Sequence, residues 1–374
     1  MTPPTHPCMT GVNFLRPSAR VRPGTMMAQP PARAGLLLAC LCASALACDG
    51  GGDDSPPAAT PTGPGVSWLR TIEIEETPSS LSVLPVVALD PGGGFLVADA
   101  GEAQIRRYGG DGKILWTSGR RGEGPGEYRT PNVVTRLPDG RVMVGDRSGR
   151  ITYLDSAGQL VRTARTPLGG IEDALVIDDS VVLLSATRLA DAGGHRLHWW
   201  NVRTDTMLAS SFAPTQRAAN TVLAQVASWM KLARRGDTIA AIFAPVDTVY
   251  YFTPDGRSLG QVPIPFTNRR QSDRPPPGRG STPRQRAEWM SGFDLVADVH
   301  WLPDGDLLVA YQNSDPARAS ERQWHLLRMT DSGTRITEIR DVPRLLEVDA
   351  ASGELFFISP EAEAPNQWSL ARLP

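Results

Sequence analysis

Leu137-Pro-Asp-Gly-Arg-Val-Met-Val-Gly-Asp146 is the stretch that decides the fold of this chain. Its Pro-Asp-Gly portion suits a tight reversal, and the short apolar run that follows has the pattern of a strand buried on both faces. The unit recurs as Asp90-Pro-Gly-Gly-Gly-Phe-Leu-Val-Ala-Asp99 and as Leu302-Pro-Asp-Gly-Asp-Leu-Leu-Val-Ala310. Weaker copies run from Ile177 to Ser185, from Ala233 to Ile242 and from Asp349 to Ser359, which makes six. A second turn follows most copies, at Tyr108 to Gly112, Leu154 to Gly158, Phe252 to Gly256 and Met329 to Gly333, each after a further strand such as Gln104 to Tyr108 or Arg150 to Leu154. The unit is therefore about four strands long and recurs every 40 to 70 residues or so, the regime of propeller blades rather than of solenoids. The expected fold is all-β, a six-bladed β-propeller of four-stranded antiparallel blades.

The last copy begins at Asp349 and leaves 26 residues, enough for its own strand and one at Gln367 to Leu373 but not for an outermost strand. Val66 to Glu75 (VSWLRTIEIE) lies ahead of the first blade and alternates partly as a strand should. It is expected to complete the sixth blade and so remove the exposed edge that an open sheet would carry.

Composition narrows the function classes. Lys+Arg at 38 against Asp+Glu at 40 gives a net charge of −2, which argues against a broad basic footprint for nucleic acid. Gly at 36 and Pro at 33 suit a chain with frequent tight turns. The cysteines are Cys8, Cys40, Cys42 and Cys48, so residues beyond 48 have neither a disulfide nor a thiolate metal site. Stability must come from apolar burial, which a domain of roughly 300 residues can supply.

Residues 26 to 48 read MMAQPPARAGLLLACLCASALAC, a charged flank at Arg33 followed by an apolar run of signal-peptide length. The preceding stretch is Pro- and Arg-rich without periodicity, so the expected start is Met26 or Met27. Ala45-Leu46-Ala47-Cys48 resembles the lipobox of bacterial lipoproteins, which implies lipidation at Cys48 and export to the cell envelope. An ordinary secretory signal with an incidental cysteine is the alternative. Residues 49 to 65 (DGGGDDSPPAATPTGPG) read as a flexible linker unable to bury enough apolar surface to fold. The expected organisation is a leader over 1–48, a linker over 49–65 and the propeller over 66–374, touching the membrane only through the lipid.

Ala98-Asp-Ala-Gly-Glu-Ala-Gln-Ile-Arg-Arg-Tyr108 and Gly119-Arg-Arg-Gly-Glu-Gly-Pro-Gly-Glu-Tyr-Arg-Thr-Pro131 resemble NHL-type repeats of bacterial six-bladed propeller lipoproteins, and Val144 to Leu154 follows the same pattern. The specific motif covers about 75 residues; later blades keep only the turn and strand. The resemblance implies a propeller fold and an extracytoplasmic binding or scaffolding role.

Asp99 and Asp146 end corresponding strands and are expected to cap turns through Asx hydrogen bonds. Arg120-Arg-Gly-Glu-Gly-Pro-Gly-Glu127 lacks the lysine, hydroxyl and helix of a phosphate loop and is expected to connect blades, with Arg120 and Arg121 as candidate ligand contacts. His195 and His198 are read as lying on one strand with opposite orientations, so no metal site is assigned to them and no cofactor is expected. Phe266 to Phe293 interrupts the repeat with Arg269, Arg270, Arg274, Arg279, Arg284 and Arg286, and its second half has a helix start at Ser281 or Thr282. These arginines and Trp289 are candidates for a lid that recognises an anion, against the alternative of a solvated loop. The leading functional reading is a binding or interaction scaffold whose partner is a protein or a small molecule, with no nucleic acid. The competing reading is an extracytoplasmic propeller hydrolase or lyase, metal-dependent or not, although no Ser/His/Asp arrangement is evident.

Overall fold

The structure is a computed structural model and describes residues 65–76, 85–188, 194–213, 229–267, 269–272, 274–278, 280–315, 318–359 and 366–374. The leader, Cys48 and the linker up to residue 64 lie outside the described residues, as do Asp273 and Arg279.

The described strands form six four-stranded antiparallel sheets, the blades of a propeller. Five blades are continuous in sequence. Their innermost strands are β2 (Val86–Leu89), β6 (Pro131–Arg136), β10 (Leu168–Val176), β14 (Met230–Arg235) and β18 (Leu295–Trp301). The sixth blade starts on β22 (Leu345–Val348) and continues through β23 (Leu355–Ile358) and β24 (Gln367–Arg372). The repeat found in the sequence is always the second strand of its blade: β3 (Phe95–Asp99), β7 (Val142–Asp146), β11 (Val181–Arg188), β15 (Thr238–Phe243), β19 (Leu307–Asp315) and β23.

The reason lies in the packing. The main apolar clusters each join two neighbouring blades, and together they account for all six junctions. A second strand sits inside its blade with a neighbour on each face, so Phe95–Asp99 and Val142–Asp146 are buried throughout and apolar up to the aspartate that ends each. Outer strands meet solvent and alternate instead, as in β5 (Ile114–Ser118).

Closure follows the expected route. β1 (Ser67–Glu73) pairs antiparallel with β24, from Ser67 opposite Arg372 to Glu73 opposite Gln367, as the outermost strand of blade 6. Ile72 and Ile74 are buried in the junction of blades 6 and 1. Beyond the strand, the Glu75 amide donates to Gly112 O at 2.9 Å and Glu75 Oε2 accepts the Ile114 amide at 2.8 Å, which ties the closing segment to blade 1.

The Arg-rich connection between blades 4 and 5 contains α1 (Pro283–Met290). Thr282, one of the two expected caps, accepts the Gln285 amide at 3.2 Å while its own amide donates to Gln285 Oε1 at 2.8 Å. This reciprocal capping box explains why so short a helix forms here.

Candidate functional site

The innermost strands line a central channel of about 460 Å³. Antiparallel register places equivalent residues of the blades at one level. Val86 faces Ala98, Val133 faces Gly145, Asp173 faces Ser185, Lys231 faces Ile242 and Asp298 faces Ala310. A one-residue irregularity in β22 shifts the sixth equivalent to Arg344, whose carbonyl accepts the Ile358 amide. Two residues further on, or three in blade 6 because of its irregularity, a second level carries Ala88, Thr135, Leu175, Ala233, His300 and Glu347. All of these residues except Arg344, which directly precedes β22, belong to inner strands, and the channel is lined by both levels. Blades 1 and 2 contribute valine, alanine and threonine, whereas the first level reads Asp, Lys, Asp, Arg across blades 3 to 6.

The charged side chains are held by bonds between blades. Asp173 Oδ2 accepts the Leu232 amide of blade 4 at 2.8 Å, and its Oδ1 accepts the Ala174 amide at 2.9 Å. Burial raises the Asp173 carboxyl to about 6 even though Lys231 opposes the shift. His300 lies between two carboxylates, with Nε2 3.6 Å from Asp298 Oδ1 and Nδ1 3.3 Å from Glu347 Oε1. Burial disfavours its charge, but Asp298 and Glu347 outweigh that and hold the imidazole protonated well above the usual histidine range. Arg344 donates to Pro85 O of blade 1 at 3.1 Å and its guanidinium lies 5.7 Å from the Trp324 ring centroid. Arg234 reaches back to the blade 3 hairpin, donating to Ile177 O at 2.6 Å.

Lys231 differs from these groups. Among the described residues no side chain is hydrogen-bonded or ion-paired to its ammonium. Burial disfavours its charge, yet the longer-range field of Asp173, Asp298, Glu172 and Glu347 leaves its affinity for the proton above that of an ordinary lysine. Among the described residues no group of three or more His, Asp or Glu side chains is placed to hold a metal ion.

The residues proposed from sequence lie elsewhere. Arg120 pairs with Glu127 at 2.8 Å, and Arg121 donates to Gly101 O at 2.5 Å, both within the connection from blade 1 to blade 2. The same Gly-rich loop wraps the buried Arg150, which donates to the carbonyls of Glu123 and Glu127. Asp99 accepts the amides of Gly101 and Glu102 at 3.0 and 3.1 Å, and Asp146 accepts that of Ser148 at 2.7 Å, the expected turn caps.

In the connection between blades 4 and 5, Arg269 pairs with Asp247, and Arg270 Nε lies 3.0 Å from Asp294 Oδ1, so both fasten the segment down. Arg284 pairs with Glu288 one helical turn away, and Arg286 donates to Ser281 O at 3.0 Å. Trp289 is buried against Phe293, with ring centroids 4.9 Å apart, and donates to Arg274 O at 3.0 Å. Its ring anchors the segment, and one edge of it lines a surface pocket together with Arg274, Gln285 and Glu288. His195 precedes β12 (Leu197–Asn201) instead of sharing it with His198, because the strand starts two residues later than the sequence pattern suggested.

The channel set escaped the sequence because its members come from separate blades and form no local motif. A usable signal was nevertheless present. Counting back four residues from the repeated turns at Ile177 and Leu302 gives Asp173 and Asp298, and counting back two from Leu302 and Asp349 gives His300 and Glu347.

No family model matches the chain, and no curated protein matches it in sequence. Among solved structures it is similar to a protein of Bacteroides fragilis NCTC 9343 described as exported, with a TM-score of 0.54, 10% identity, and coverage of 83% of this chain and 95% of that one. It is also similar to a member of the DUF4221 family from Bacteroides vulgatus ATCC 8482, with a TM-score of 0.54, 9% identity, and coverage of 83% and 97%. At such identities the likeness is one of fold.

Proposed function

We propose that this chain is an exported binding propeller, anchored to a membrane by lipid on Cys48, whose central channel holds a small polar ligand. The observation that carries this reading is the half-ring of charge on blades 3 to 6 facing an apolar wall on blades 1 and 2, in a cavity of about 460 Å³. That volume is within the range of small-molecule sites, and a few placed polar groups on an apolar surround are what such sites use for orientation. His300, clamped by two carboxylates, holds its proton rather than taking one, which favours binding over the hydrolase or lyase alternative. Export is supported by the leader over residues 26 to 48 and by the similarity in fold to a protein described as exported.

The Arg-rich connection and the loop of Arg120 and Arg121 both join an outermost strand to the next innermost one, so they share one end of the propeller. In this reading they form an accessory rim, with Arg274 and Arg284 as its outward cations, for an anionic or protein partner.

Ligand-observed NMR with a small-molecule extract of the cell envelope tests the channel. Saturation transfer from the protein to its ligand is expected, and Thr135→Trp, which fills the channel, should abolish it while leaving the circular dichroism spectrum unchanged. Transfer that survives this plug counts against the proposal.

A further inference from the structure

Among the described residues, every charged group of the channel but Lys231 already has a partner of opposite sign or a backbone partner. Asp173 accepts two amides, Asp298 and Glu347 share His300, and Arg344 and Arg234 donate to carbonyls of neighbouring blades. A cationic ligand would have to compete with His300 or with backbone amides for a carboxylate. An anion can take the Lys231 ammonium without breaking any of these bonds, and a charge-assisted hydrogen bond is stronger than a neutral one. The sign of the ligand is thereby decided by which channel group lacks a direct partner.

Shape supplies the second half of the argument. Blade 4, which carries Lys231, lies three blades from blade 1 in a ring of six, so Val86, Val87 and Ala88 stand diametrically across the channel from the ammonium. Val133 of blade 2 extends the same apolar wall. Resting on the reading of the channel as a binding site, we propose that its ligand is a small carboxylate with an aliphatic body, docked by its carboxylate on Lys231 with the body against the valines of blades 1 and 2. Asp173 and Asp298 flank the docking point and set a limit on its affinity, because each repels the incoming carboxylate. They also reject multiply charged anions, whose second charge would meet the same repulsion without a second unpartnered cation.

The test uses the full chain and three probes of one length: butyrate, butylammonium and butanol. Methyl NMR of Val86 and Val133 reports on the wall, and the dissociation constant is read from the titration. Butyrate should shift these methyls saturably, butylammonium should not, and butanol should bind more weakly than butyrate. Lys231→Met should weaken butyrate by roughly tenfold or more, the loss of one charged hydrogen bond, whereas Lys231→Arg should retain most of the affinity. Lys231→Gln gives the same comparison with a polar side chain if the methionine variant folds poorly. Methyl shifts with butylammonium, or butyrate binding that ignores the loss of Lys231, overturn the carboxylate inference while leaving the channel as a binding site. Absence of methyl shifts with all three probes overturns it as well, and the extract experiment with Thr135→Trp then decides separately whether the channel binds anything.

Discussion

Asp173 on blade 3 accepts the amide of Leu232 on blade 4 at 2.8 Å, so a channel carboxylate is also a stitch between blades. Its two roles pull against each other, because the amides favour the carboxylate and burial disfavours it. Burial wins, and the group should titrate at about 6 in the folded protein, measurable by carboxyl-carbon NMR. Since this lies above the unfolded value of about 4, the associated stability is fully present below pH 4 and is lost as pH rises through 6. Asp173→Asn should flatten this part of the pH dependence of the melting temperature. A carboxyl signal that titrates near 4 would show that the amides dominate instead.

The same titration should reach the ligand. Around Lys231 the charged groups are Glu172, Asp173, Arg234, Asp298, His300, Arg344 and Glu347, and Asp173 is the one whose charge changes near pH 6. Butyrate should therefore bind more tightly at pH 5.5 than at pH 7.5, by about threefold to tenfold. Asp173→Asn should abolish the difference.

His300 gives a pH dependence at the alkaline side. Its folded pKa is raised from 6.5 to about 10, so its contribution is complete below 6.5 and disappears as pH rises through 10. His300→Gln leaves Asp298 and Glu347 facing each other and should cost about 2 kcal/mol in urea unfolding at pH 6, less as pH approaches 10. An equal cost at both ends would assign His300 a packing role only.

Closure can be weakened by one side chain. Ile72 is 4% exposed at the junction of blades 6 and 1, and Ile72→Ala should cost about 3 kcal/mol. Deleting residues 66–75 should remove the cooperative transition in calorimetry altogether. An unchanged transition would show that blade 6 is stable with three strands.

The anchor is tested by fractionation. Cys48→Ala should move the protein from the membrane pellet to the soluble envelope fraction. Retention in the pellet would point to the ordinary secretory signal and some other attachment.

The fold was legible because its signal is repeated. A Pro-Asp-Gly turn before Val142, and the same turn before Leu307, mark strands that are buried on both faces by neighbouring blades, so burial forces an apolar run wherever the unit recurs. The closing strand was found by counting, since blade 6 lacked one. The channel was not found, because Asp173, Lys231, Asp298 and Glu347 meet only after the ring has formed. The Arg-rich segment was legible as an interruption of the repeat, but not which of its side chains are fastened down. Several arginines of the Phe266 to Phe293 segment serve to hold it in place, with Arg269 on Asp247 and Arg270 on Asp294, and Trp289 is its buried anchor.

The pairing of Ser67–Glu73 with Gln367–Arg372 joins segments about 300 residues apart, and this has a consequence for how the protein is made. Contacts between residues so distant in sequence raise the contact order and slow folding, and this one cannot form until Gln367–Arg372 has been synthesised. A chain lacking β24 would leave β1 without a partner and β23 paired only on its β22 side, and its unfinished blade would display the apolar surface that quality-control proteases attack. The closing pair thus makes the presence of Gln367–Arg372 a condition of the protein's survival.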